Sequence, residues 1–415
     1  MVFTSRKEDQ RTLVPPYAVA GGCFALIALW YNYVMANLFD RLRDGLRDKL
    51  PKIDFFKKTA DTFVGIDIGG AFIKVAEIGG RNNKPVLKTY GEIALGPLSG
   101  LEVGQATNLP TQKLAGALTD LFREANVKSR DVIFSIPLTS TLLTTIEMPD
   151  LGEEKLKEMI PIEARKYIPT SISEVSISHW VVPRITRTYV DPDLAMKNKN
   201  APPKVEVLLA VVYNDVLAKY NNIAQEIGAT SVSFEIEIFS TIRSILGHDT
   251  SLTMVLDIGA ANTKVALVEE GIVRSSHLIS AGSQDITVAL SRAKGVPMIK
   301  AEEIKREFGL PGDPADPTIA EIVRLATDRI FAEADRILAH YQREKRVAVG
   351  RVILSGGGSR MKGVLDLAQK SFETTVVYGD PFGKVESPAV LESLLKEAGP
   401  EFAVAVGLVL RKLSD

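Results

Sequence analysis

Cysteine occurs once, at Cys23, and histidine only at His179, His248, His277 and His340, far apart along the chain. A single thiol excludes an intramolecular disulfide, and the scattered imidazoles have none of the spacings of a structural metal site. Excess charge of either sign is also missing, since 50 basic residues stand against 51 acidic ones. Without surplus positive charge there is no whole-molecule electrostatic case for nucleic acid, and no such partner is expected. What remains is an ordinary globular composition, 46% hydrophobic and 24% charged over 415 residues. A usual domain holds roughly 100 to 200 residues, so a cytosolic chain of two or three lobes is expected.

The N-terminal stretch departs from that pattern. Residues 17–39 are almost wholly apolar, interrupted only by Asn32 and Asn37, and are long enough to cross a hydrocarbon layer of about 30 Å. Basic residues are denser after the run (Arg41, Arg43, Arg47, Lys49, Lys52) than before it (Arg6, Lys7, Arg11). Such a bias keeps the rest of the chain on the cytoplasmic side. A cleaved signal peptide fits poorly, because the run is long and no small-residue cleavage pattern precedes the charged stretch. Leu38, Leu42, Leu46 and Leu50 then recur every four residues among Arg and Asp, the stripe of an amphipathic helix. The alternative left open is that residues 1–61 are a packing extension with no membrane role.

The strongest signal is an internal repeat. FVGIDIGGAFIKVAEI at residues 63–78 is matched by MVLDIGAANTKVALV at 254–268, with Asp67 aligned on Asp257 and Lys74 on Lys264. Each copy reads as an apolar strand, an Asp-x-Gly turn and a second apolar strand. Glycines at Gly69, Gly70 and Gly259 let backbone N–H groups approach a phosphate, and Asp67 and Asp257 are suited to hold Mg²⁺ through water. Two facing copies could clamp one nucleotide. A third element, RVILSGGGSRMKGV at residues 351–364, reads as a strand, a glycine run and a helix start. It fits neither Gly-x-Gly-x-x-Gly nor the P-loop. Its flat Gly356, Gly357 and Gly358 can instead admit the face of an adenine, with Met361 as an apolar wall. Between these elements Glu302 and Lys305 lie three apart on one predicted helix face.

The order of first phosphate loop, second phosphate loop and adenosine loop resembles the actin, hexokinase and sugar-kinase superfamily. The resemblance implies an α/β fold of two ribonuclease-H-like lobes with ATP between them. Within that group, GSQDIT from Gly282 followed by AEEIK from Ala301 is similar to the FtsA and MreB branch, where the latter segment contacts the nucleoside. FSIPLTSTLLTTIEMP at residues 134–149, EARKYIP at 163–169 and the strand and helix of 205–229 resemble the PilM family. The similarity runs from about residue 62 to 415. It implies an inserted α+β subdomain at 132–211, with first-lobe segments at 62–131 and 212–250. A second lobe at 251–380 and a return helix within 381–415 complete this division.

The resemblance further implies a scaffold of type IV pilus or related type II secretion assembly at the inner face of the inner membrane. Such a scaffold takes the short cytoplasmic peptide of a PilN-type inner-membrane protein and connects to the motor ATPases of the pilus. Association with further copies of itself is left open. The first loop departs from the family in carrying Gly70, Ala71 and Phe72 where serines are usual, so only backbone donors face a phosphate there. Lys74, Asn262 and Thr263 remain in place. ATP turnover, if present, is expected to be slow, with Asp67 and Asp257 orienting Mg²⁺ and the attacking water; no general base is assigned, Glu163 being either that base or a solvated helix residue. Two alternatives stay open. An FtsA-like division protein would carry a membrane helix at its C-terminus, where this sequence ends just after Leu413. A small-molecule kinase would need a catalytic Asp and a sugar pocket, and no such motif occurs between Asp131 and Val211.

Residues 17–39 generate the first prediction. Expressed without any partner, the full chain should remain in the membrane pellet through high salt and alkaline carbonate, and a chain lacking residues 1–61 should not. Release of the full chain by carbonate would contradict the spanning reading, since only surface charge contacts are screened by salt.

Overall fold

Each acidic glycine hairpin opens a five-stranded sheet in the computed structural model, which describes residues 62–81, 84–183, 204–247 and 250–414. The expected membrane run and the amphipathic stripe lie outside those residues. Among the described residues no helix is long and apolar enough to cross a membrane.

The first sheet has the order β3 (Lys84–Ala94), β2 (Phe72–Arg81), β1 (Thr62–Ile68), β4 (Asp131–Ile136), β8 (Ser231–Ile236). The second repeats it with β11 (Ile272–Ile279), β10 (Thr263–Glu269), β9 (Leu252–Ile258), β12 (Val349–Ser355) and β13 (Thr375–Tyr378). In both, three antiparallel strands from the hairpin are followed by two parallel ones. The central strands β1, β4, β9 and β12 are short apolar runs because helices cover both faces of each sheet. Helices α1 (Thr111–Glu124) and α3 (Asn214–Glu226) bury Leu118, Leu121 and Ile223 against Val64, Ile66 and Phe134. On the second sheet, α5 (Ser283–Lys294), α7 (Thr318–Lys345) and α8 (Val364–Phe372) do the same around Met254, Leu256, Phe331 and Val352.

Between β4 and β8 the chain inserts a three-stranded sheet of order β5 (Thr141–Pro149), β7 (Lys204–Tyr213), β6 (Val175–Val182). Its alternation separates two faces. Val205, Val207, Leu209 and Val211 meet Leu156, Ile160 and Ala164 of α2 (Glu153–Ala164). Leu208 and Ala210, with Trp180 and Val182, join the cluster of Val268, Ile272 and Val273 from the second sheet. The expected start of this insertion at residue 132 needs correction. β4 pairs in parallel with both β1 and β8 and belongs to the first sheet, as the unbroken apolar run Val132–Phe134 requires.

Two helices join the lobes. α4 (Glu237–Ile245) follows β8, and α9 (Glu392–Ser414) packs on β1 and β2. They cross backbone to backbone at Gly407, where a Cβ would run into the Ser240 carbonyl of α4. The crossing encloses Glu235, which takes Arg243 Nη1 at 2.6 Å and Nη2 at 2.7 Å and also accepts the Ser240 hydroxyl. Arg243 donates onward to the Gly407 carbonyl at 3.0 Å, and Ser244 Oγ to the Ala403 carbonyl at 2.7 Å. Burial would raise the Glu235 carboxyl, but Arg243 and Arg411 outweigh it and hold Glu235 below its usual range.

Gly→Ala in an exposed helix normally stabilises by about 1 kcal/mol. Gly116 of α1 has open space where a Cβ would go, so Gly116→Ala should raise the melting temperature. Gly407→Ala should lower it despite the same propensity gain. A rise in both variants would show that α4 and α9 do not touch this closely.

Candidate functional site

The two hairpin turns are superposable in their bonding. Gly69 N–H donates to the Phe72 carbonyl at 2.9 Å, and Gly259 N–H to the Asn262 carbonyl at 3.0 Å. In register, Asp67 faces Lys74 and Asp257 faces Lys264. Both turns open into one cleft of about 500 Å³ between the lobes. The glycine run after β12 forms its third wall. Gly356 has a φ of 80° and no room for a side chain, since a Cβ would fall 2.5 Å from the Ile258 carbonyl and collide with the Asp257 carboxylate. Gly357 is different, because its Cβ direction is open to within 3.7 Å of Glu401. This run hangs from α9, whose Pro400 carbonyl accepts from Gly356 N–H at 2.8 Å and Ser355 Oγ at 3.0 Å.

Charge in the cleft is closely paired. Lys264 Nζ lies 3.0 Å from Glu237 and 3.5 Å from Asp257. Asp67 Oδ1 accepts the Ser135 hydroxyl at 2.8 Å. Burial opposes the charge on Lys264, yet Asp257, Glu237 and Asp67 together overcome it and keep the ammonium charged. Burial pushes the carboxyls of Asp67 and Glu237 up, against the attraction of Lys264. Lys74 instead points toward Glu401 at 3.7 Å, and Arg360 bridges Glu397 and Glu401 on α9.

On the second-lobe side, α6 (Met298–Phe308) carries a fixed polar pair. Lys305 Nζ is 2.6 Å from Glu302 and donates to Thr287 Oγ1 at 2.9 Å and the Ser283 carbonyl at 3.2 Å. Glu302 also accepts Thr287 Oγ1 at 2.7 Å and Arg306 Nε at 2.8 Å. Burial works against the Glu302 carboxylate, but Lys305, Thr287 and Arg306 hold it below its usual range. The lobes meet across this end of the cleft, where Ala106 N–H donates to Gln284 Oε1 at 2.6 Å.

Of the residues expected from sequence, Asp67, Gly69, Gly70, Lys74, Asp257, Gly259, Asn262, Glu302, Lys305, Gly356, Gly357, Gly358 and Met361 all line the cleft. Three others do not. Thr263 is fully buried and its hydroxyl donates to the Ala281 carbonyl at 2.8 Å. Gly282 supports the second loop from behind: a Cβ there would strike the backbone of Ala260, and the start of α5 donates to the carbonyls of Gly259 and Ala260. Glu163 sits on α2 outside the cleft, bound to Lys166 at 2.8 Å. Lys264, Glu237, Arg360 and Glu401 were not singled out as site residues. Lys264 was legible all the same, as the repeat partner of Lys74.

The profile of the family described as Type IV pilus assembly protein PilM matches residues 65–413. The cell division protein FtsA of Neisseria meningitidis serogroup B is 23% identical over 385 residues, 81% of this chain and 89% of that protein. FtsA of Pseudomonas aeruginosa is 22% identical, over 85% and 90% respectively. Among solved structures, a PilM-PilN type IV pilus biogenesis complex aligns with a TM-score of 0.70 at 24% identity, over 84% of this chain and 98% of that one. The ethanolamine utilization protein EutJ from Carboxydothermus hydrogenoformans aligns with a TM-score of 0.50 at 13% identity, over 92% and 98%. With a family match that runs through both hairpins, the insertion, the glycine run and α9, the chain belongs to the PilM family of type IV pilus assembly proteins and has their actin-like fold.

Proposed function

We propose that this protein is an ATP-binding scaffold of type IV pilus, or related type II secretion, assembly. The observation that carries the nucleotide reading is the convergence of two hairpin turns of matched bonding and a glycine run on one cleft of about 500 Å³. The lining suits a nucleotide. Backbone N–H groups of the two turns and Lys74 would take the phosphates, as preorganised donors and a point charge do. Glu302 and Lys305 would take the ribose hydroxyls, and Gly356, Gly357, Gly358 and Met361 the adenine. Bound ATP would supply a polyanion touching both lobes, and the chain's own part is to hold the lobes at one angle around it.

The partner follows from the insertion. The related PilM structure is a complex with PilN, and here α2 and its surroundings leave Leu151, Ile162 and Tyr167 exposed. A short peptide from a PilN-type inner-membrane protein would order on that apolar surface. Bringing the pilus motor ATPases to the inner face of the membrane would be the consequence.

Millimolar ATP should raise the melting temperature of the full chain, by ~2.7 kcal/mol of stability when the ligand is at a hundred times its Kd. Gly357→Leu, which fills the open adenine wall, should weaken ATP binding by at least about tenfold without lowering the melting temperature of the free protein. Unchanged affinity in that variant would place the nucleotide elsewhere. Ile162→Glu combined with Tyr167→Glu should abolish capture of the PilN-type protein from solubilised membranes and leave the ATP shift intact. Full capture by the double variant would move the docking surface off α2.

A further inference from the structure

One of the two aspartates expected to hold Mg²⁺, Asp257, is already paired with a cation. The Lys264 ammonium lies 3.0 Å from Glu237 and 3.5 Å from Asp257, and its side chain is 14% exposed. It reaches this place from the strand opposite Asp257 and passes beneath the second hairpin, where Nζ is 3.8 Å from the position a Gly259 Cβ would occupy. The repeat-related Lys74, from the same register, turns instead to Glu401 on α9. One lysine of the pair is thus at the wall and the other at the centre. A metal ion between Asp67 and Asp257 would meet the Lys264 charge at close range, and like charges in a partly enclosed site repel strongly. Among the described residues no group of three or more His, Cys, Asp or Glu side chains is arranged to hold a metal ion. With Glu237 and Asp257 already bridged by this ammonium, the donor set does not fit a divalent cation.

An ammonium can do toward phosphate what the metal would do. It carries three N–H donors and no acceptor, so it can bridge carboxylates and a phosphate oxygen at once. We propose that Lys264 is the resident cation of this cleft: it stands in place of a divalent metal among Asp67, Glu237 and Asp257, and the site takes a nucleoside triphosphate in its metal-free form. This rests on the nucleotide reading above and adds the ionic form of the ligand.

The test is calorimetric titration of the full chain with ATP, once in millimolar Mg²⁺ and once in excess EDTA, for the wild type and for Lys264→Met. Methionine keeps most of the apolar stem and removes the charge. The wild type should bind ATP in EDTA within about twofold of its affinity in Mg²⁺. Lys264→Met should lose at least about tenfold in EDTA and recover on addition of Mg²⁺, because three carboxylates are then left without their ammonium. Wild-type binding that vanishes in EDTA would overturn the inference and leave the nucleotide reading standing. Absence of binding in both buffers would overturn the nucleotide reading and this inference with it. Should Lys264→Met fail to fold, the wild-type comparison decides alone.

Discussion

The contact on which the molecule depends is the crossing of α4 and α9 at Gly407. Without a side chain there, the two helices meet backbone to backbone, and each serves both lobes. α9 packs on β1 and β2 of the first sheet, while its Pro400 carbonyl holds the end of β12 in the second. The glycine run of one lobe is thereby fixed to a helix of the other. The price of such closeness is a buried carboxylate, Glu235, which is tolerable because Arg243 meets both its oxygens and then anchors to α9. A buried ion pair lacking those bonds would cost more in desolvation than it returned.

Around this crossing the chain uses one motif twice and gives the copies unequal work. Each hairpin has the same turn bond and the same Asp–Lys register. The first lysine is drawn outward by Glu401, the second inward by Glu237, which arrives from α4 between the lobes. Sequence duplication supplies matched backbone cradles, and the connecting helix breaks their electrostatic symmetry. The central carboxylates of the cleft thus come from both repeats and from α4.

Much of this was legible in the sequence because the signals were periodic and local. The repeat announced two sheets of one topology, and the glycine run announced a flat wall, closed to a side chain at Gly356 and open at Gly357. Thr263 is expected at the ligand from its place in the second loop and Gly282 from the resemblance of GSQDIT, but alternation along β10 sends Thr263 into the core, and Gly282 is glycine because α5 must touch the loop from behind. The boundary at residue 132 cut off β4, whose apolar run pairs with strands distant in sequence. Glu237 was out of reach of any local pattern. Its place beside Lys264 follows from the path of α4 between the lobes, a tertiary fact.

The central claim is that one nucleotide is held by both hairpins and the glycine run together. Amide hydrogen exchange of the full chain with and without ATP measures this directly, because N–H groups engaged by a ligand are protected. The account predicts that Gly69 to Phe72, Gly259 to Asn262 and Gly356 to Met361 all slow together on adding ATP. Protection confined to the segments of one lobe, or to none of the three, would contradict it.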